Sequence, residues 1–200
     1  MITAIGNVMR KAYENGWITS RDGNCSVKRQ NSKTMYITPS GWRKAIIHPE
    51  HMVVCKMTGD KIEIKSSADS APSGELEMHY QLQKDCRPTR SVLHLHPTNI
   101  IAAMYAGWDL QELASDFPEV SRYTRVGPST PVLPVTSKEL ANATSKAIGL
   151  HENGKVEFDI VGQANHGVCA VGKNPWDAYE HIERLEHICQ IVLSSGKKPY

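Results

Sequence analysis

What this 200-residue sequence lacks narrows its class before any motif is read. No apolar run approaches the roughly 18 residues that a membrane-spanning helix needs. The opening "MITAIGNVMRKAYENGW" breaks its apolar pattern with charges and has no signal-peptide layout. Charge of one sign is also missing. The formal net charge is +2, and the only dense basic spots are "WRK" at 42–44 and "GKK" at 196–198. Both read as solvated surface, so neither a nucleic-acid groove nor a membrane patch is expected. The five cysteines are odd in number and form no C-x-x-C pair. That fits small buried, reduced thiols in a cytoplasm better than a disulfide framework. Repeats, low-complexity tracts and interdomain linkers are absent too, so 1–200 reads as one domain with a single sizeable core.

What is present alternates between the two periodicities. Ile2, Ile5, Met9, Ala12 and Tyr13 recur at helical spacing, and Gly16 closes that helix. "NCSVK" and "MYIT" read as short strands, and "MVVCKMTGDKIEI" as a hairpin turning at Thr58-Gly59-Asp60. After the loop "SSADSAPSG" come a helix in "ELEMHYQLQKDC", a strand in "RSVLHLH" and a helix in "NIIAAMY". Gly107 to Pro134 is rich in Gly and Pro and reads as short extended pieces. "TSKELANATSKAI" is a helix with Thr136 and Glu139 spaced as a capping box. "VEFDIV" and "GVCAV" read as strands. The longest helix starts at Asn174-Pro175, with Trp176, Tyr179, Ile182, Leu185 and Ile188 as its buried stripe. The mixture predicts an α/β or α+β fold around one sheet.

The chemistry starts at "SVLHLHPTN", residues 91–99. Alternate residues of a strand share a face. His94 and His96 therefore project together, with Leu93 and Leu95 turned into a core. Two neutral imidazoles on one face begin a metal site, and catalytic zinc typically takes three protein ligands. His166, in a turn before an apolar strand and followed by Gly167, is the best third candidate. The other histidines read as surface or as satisfied core residues.

Three loops combine small residues with hydroxyls: "RDGNCS" with Gly23, Asn24 and Ser26, "TPSG" with Ser40 and Gly41, and "APSGE" with Ser73, Gly74 and Glu75. Free backbone N–H groups in such loops can form an anion nest, and a helix start adds favourable partial charge. A phosphorylated substrate follows as an expectation. Glu75 stands at that helix start. As an isolated residue it reads as a helix-start charge; beside a metal and a phosphate it is a candidate general base.

In order, Gly23-Asn24 with Ser26, "TPSG", "PSGE", "HLHP" and "NHG" make the sequence resemble the class II aldolase/adducin family, over most of the chain. The resemblance implies a three-layer α/β/α fold on a largely antiparallel central sheet. It implies that His94, His96 and His166 bind a divalent metal, usually zinc. It implies that Asn24, Ser40, Gly41, Ser73 and Gly74 surround a substrate phosphate, and that Glu75 is the catalytic carboxylate. Tyr123, in "FPEVSRYTRVG", resembles the residue that donates a proton to a neighbouring subunit's site in a C4 homotetramer. The reaction implied is reversible cleavage of a sugar phosphate to dihydroxyacetone phosphate and an aldehyde through a zinc-stabilised enediolate. Dehydratase, 4-epimerase and decarboxylase chemistries share that logic. Glu75, where the epimerase usually has Asp, points to aldolase or dehydratase. Gly74 stands where the family often has a second serine. A non-catalytic adducin-like module would lack the ligands that this chain retains.

Overall fold

The computed structural model describes residues 1–59, 61–65 and 70–199. Its strands are β1 (Asn24–Lys28), β2 (Thr34–Ile37), β3 (Val53–Thr58), β4 (Lys61–Ile64), β5 (Arg90–Leu95), β6 (Ile160–Gln163) and β7 (Gly167–Gly172). Among the described residues they form one sheet in the order β4-β3-β2-β1-β5-β7-β6, each neighbouring pair antiparallel. The helices are α1 (Ile2–Glu14), α2 (Leu76–Lys84), α3 (Thr98–Tyr105), α4 (Leu110–Ser115), α5 (Pro118–Tyr123), α6 (Lys138–Ala147) and α7 (Pro175–Ser195).

Strand alternation decides which helices cover which face. Leu93 and Leu95 of β5 join one apolar core with Ile5, Val8 and Met9 of α1, Ile100 of α3, and Ile182 and Leu185 of α7. Val92 of β5 turns to the opposite face, where it packs with Met78 and Leu82 of α2, Ala141 of α6, and Cys169 and Val171 of β7. Helices therefore lie on both faces of an antiparallel sheet, the expected α/β/α layering. A third cluster joins Met35 and Ile37 of β2 to Val53 and Cys55 of β3 and Tyr80 of α2. All five cysteines are free and buried. No helix among the described residues is long and apolar enough to cross a membrane.

Several elements depart from the sequence reading. Gly107–Pro134 holds two short helices rather than extended pieces. Asp109 caps α4 by accepting from the backbone N–H groups of Gln111 and Glu112, and Pro118 opens α5. The cap of α6 is Ser137, whose hydroxyl accepts from Leu140 N at 3.0 Å, and not Thr136. "VEFDIV" becomes a strand only at Ile160, because the N–H groups of Glu157 and Phe158 donate to Ile148 O instead of to a ladder. Trp176 leaves the buried stripe of α7; it is 38% exposed and lies edge-on against Tyr179. Lys44 is not solvated surface but almost fully buried. Asp60 of the expected hairpin turn and residues 66–69 of the following loop lie outside the described residues.

The carboxyl end of α2 is held by buried cations. Arg90 donates from Nη1 to Leu82 O at 2.6 Å and from Nη2 to Gly154 O at 2.6 Å. Lys28, its cross-strand partner, donates to Cys86 O. Unsatisfied carbonyls at a helix C-terminus attract such donors.

The amino end of α7 gives a stability test. The Asn174 side chain accepts from Trp176 N at 2.9 Å and Asp177 N at 3.2 Å. Asn174→Ala should lower unfolding stability by about 1 kcal/mol, read as a shifted urea midpoint with unchanged slope. An unshifted midpoint would show that the cap contributes nothing.

Candidate active site

The sheet places the imidazoles. His94 sits on β5 between Asn24 of β1 and Cys169 of β7. His96 lies just beyond the strand, its backbone N–H donating to Trp17 O at 3.0 Å. His166 lies in the β6–β7 hairpin, where Asn165 takes a left-handed φ of 56° that asparagine tolerates. Gly167 follows because the space for a side chain is filled: a Cβ there would sit 2.3 Å from Leu95 O and 2.8 Å from His96 Cδ2.

His94 Nδ1 donates to Val168 O at 3.0 Å. A carbonyl only accepts, so the proton is on Nδ1 and the Nε2 lone pair faces the other histidines. His94 Nε2 and His96 Nε2 are 2.8 Å apart, and ligand atoms of His94, His96 and His166 all lie within 4.8 Å of one another. Burial, reinforced by the neighbouring imidazoles, holds His94 and His96 down at about 3, so both rings are neutral near pH 7. His166 Nδ1 is buried with no hydrogen-bond partner among the described residues. Three converging imidazoles, two kept neutral by burial and the third with an orphaned nitrogen, fit a divalent cation, with room left for substrate oxygens.

Glu75 occupies the N-cap position of α2 and is buried. Its Oε2 lies 3.4 Å from His94 Nε2 and accepts from Asn24 Nδ2 at 3.4 Å. Behind Asn24 stands His79, fully buried and lowered to about 3 by that burial. Its Nε2–H donates to Asn24 Oδ1, and its Nδ1 accepts from Ser26 Oγ at 2.7 Å. Gln83 Nε2 donates in turn to Ser26 Oγ at 3.1 Å. This chain of donors leaves the Asn24 amide pointing its N–H at the carboxylate. Ser26 thus faces His79 rather than the cavity.

The two Ser-Gly loops are joined backbone to backbone. Ser40 N donates to Ala71 O at 2.9 Å and Ser73 N to Thr38 O at 3.0 Å, around a Pro39–Pro72 bridge. Ser73 Oγ accepts from Glu75 N at 3.3 Å, which leaves its O–H free to donate. The result is a cavity of about 390 Å³ lined by Asn24, Ser40, Gly41, Ser73, Gly74, Glu75 and all three histidines. Tyr123 is not in it. It ends α5, is 52% exposed, and lines a separate cavity of about 560 Å³ with Arg125, Asp159 and Arg184.

The sequence reading missed Asp22, Lys44 and Thr136, which also line the first cavity. Lys44 donates to Arg21 O and Trp42 O, both at 3.0 Å, and burial lowers its ammonium to about 8. His79 carried one usable signal: it is four residues after Glu75, one turn along the same helix face.

Histidines, a carboxylate and two Ser-Gly loops in one cavity are the equipment of a metal-dependent enzyme. Residues 3–193 match the Class II Aldolase and Adducin N-terminal domain, and the chain belongs to that family. An L-fuculose phosphate aldolase of Methanococcus maripaludis is 25% identical over 190 residues, covering 95% of this chain and 94% of that protein. A methylthioribulose-1-phosphate dehydratase of a Bradyrhizobium species is 27% identical, covering 97% and 92%. The crystal structure of a sugar-phosphate aldolase from Thermotoga maritima superposes with a TM-score of 0.78 at 22% identity, covering 99% of this chain and 97% of that one. Members of this family with aldolase activity are metal-dependent, in keeping with the three-histidine cluster.

The cluster predicts the outcome of elemental analysis. Purified protein should carry about one divalent ion per chain, the stoichiometry of a three-histidine catalytic site. His94→Ala and His166→Ala should lose most of it while keeping the native circular dichroism spectrum. His151→Ala and His187→Ala should retain it. Full occupancy in both of the first two variants would remove these histidines from the metal site.

Proposed function

We propose that the chain is a zinc-dependent class II aldolase that cleaves a sugar phosphate reversibly to dihydroxyacetone phosphate and an aldehyde. The observation that carries this reading is the meeting of three histidines, Glu75 and two paired Ser-Gly loops in one cavity. Held by His94, His96 and His166, the cation would supply Lewis acidity toward the substrate carbonyl. Glu75 moves the proton on the carbon beside that carbonyl, and the Asn24 N–H keeps its carboxylate oriented. Asn24, Ser40, Gly41, Ser73 and Gly74 hold the phosphate through hydroxyls, an amide and backbone N–H groups, with the Lys44 charge beside them. Tyr123, exposed and outside its own chain's cavity, supports a role as proton donor to a neighbouring copy in a homotetramer. Five buried free thiols support a reducing, cytoplasmic setting.

Dehydration of a sugar phosphate is the second reading, favoured by the dehydratase relative at similar identity. Hydrogen exchange separates the two. Metal-loaded protein is incubated with dihydroxyacetone phosphate in heavy water, and exchange at the carbon bearing the free hydroxyl is followed by NMR. An aldolase exchanges that hydrogen with no aldehyde present. Glu75→Gln keeps the shape without the basicity and should slow exchange by roughly 10²–10⁴-fold with metal retained. Absent exchange in the wild type moves the assignment to dehydratase or decarboxylase chemistry. Undiminished exchange in Glu75→Gln clears Glu75 of the role.

The nest has its own test. Ser40→Ala should weaken binding of dihydroxyacetone phosphate by roughly 10- to 150-fold, the worth of one hydrogen bond to a charged group, and leave dihydroxyacetone nearly unaffected. Equal losses for both compounds would show that the loop does not read the phosphate.

A further inference from the structure

Thr136 stands where the backbone asks for glycine. Its φ is +60°, in the left-handed region that β-branched residues avoid because Cβ crowds the next carbonyl. It does not serve the helix it precedes, since Ser137 caps α6. Its side chain makes no hydrogen bond among the described residues. Yet it lines the same cavity as Ser73, Gly74 and Glu75. It also fills the space that a side chain at position 74 would need: a Cβ built on Gly74 would lie 3.0 Å from Thr136 Cγ2. Positions 74 and 136 thus share one volume, with the side chain supplied from 136. Strain that persists in a cavity wall points to function.

We propose that Thr136 is a substrate-binding residue of the anion nest, its hydroxyl serving the position beside Ser73 where Gly74 offers only a backbone N–H. This rests on the phosphate reading of the Ser-Gly loops and adds a third segment to them. The segment before α6 then takes part in choosing substrates with a phosphate at this end.

Calorimetric titration with inorganic phosphate and with dihydroxyacetone phosphate tests it, on metal-loaded protein, with dihydroxyacetone as the uncharged control. Thr136→Gly should weaken both phosphorylated probes roughly ten-fold or more and leave dihydroxyacetone unchanged. Its melting temperature should equal or exceed that of the wild type, because the left-handed backbone is relaxed. Thr136→Ser should restore affinity by restoring the hydroxyl. Gly74→Ser combined with Thr136→Gly should also restore it, because the vacated space accepts a hydroxyl from the other side. Wild-type affinity in Thr136→Gly overturns the proposal, as does a Thr136→Ser that binds no better than Thr136→Gly. A double variant that stays weak overturns the shared-space argument. If Ser40→Ala loses affinity while Thr136→Gly does not, the nest stands and only the role of Thr136 falls. If the wild type binds dihydroxyacetone phosphate no better than dihydroxyacetone, both fall together.

Discussion

The site depends on one hydrogen bond inside the sheet, from His94 Nδ1 to the carbonyl of Val168. It fixes the tautomer of a fully buried ring, and with it the direction of the Nε2 lone pair. The bond is available only because β5 lies between β1 and β7, so that β7 offers its backbone beside the imidazole. The same central placement sets Asn24 opposite His94 and lets Asn24 reach Glu75. Moving β5 by one residue would send both histidines into the α1–α7 core and bring leucines to the cavity.

Two kinds of structure share the work. The histidines and Glu75 are carried by strands, a tight hairpin and a helix start, each tied down by backbone bonds or close packing. Ser40, Gly41, Gly74 and Thr136 lie on loops and are exposed. Position is critical for groups that transfer a proton or hold a cation, and regular elements hold position better than loops do. Loops tolerate substitution, and binding residues are disproportionately found on loops held by a rigid scaffold.

Much of this was legible in the sequence because it is local. Strand alternation at 91–96, the Asn174-Pro175 start of α7 and the hydroxyl-rich turns all report themselves within a few residues. What escaped was non-local or degenerate. The burial of Lys44 depends on carbonyls at Arg21 and Trp42 meeting over it, which "WRK" does not encode. Thr136 and Ser137 are equally able to cap a helix; the left-handed turn at Thr136 decides between them. The helices α4 and α5 are too short for a periodic pattern to emerge, although Asp109 and Pro118 mark their starts. The meeting of residues 38–41 with 71–74 rests on long-range backbone bonds that no spacing rule reports. Tyr123 was a candidate only through family likeness, and its own chain places it in a cavity that none of the three histidines lines.

The buried cations at the far end of α2 bear on traffic through the cavity. Arg90 and Lys28 grip the last turn of a helix whose first residue follows Glu75, and that helix is packed on the sheet along its length. Such a helix cannot slide or tilt without breaking charge-assisted bonds in a dry interior. The wall bearing Glu75 is therefore a fixed door-frame. Exposed Ser40, Gly41, Gly74 and Thr136 border the same cavity, so solvent reaches it past these loops while the Glu75 carboxylate keeps its station.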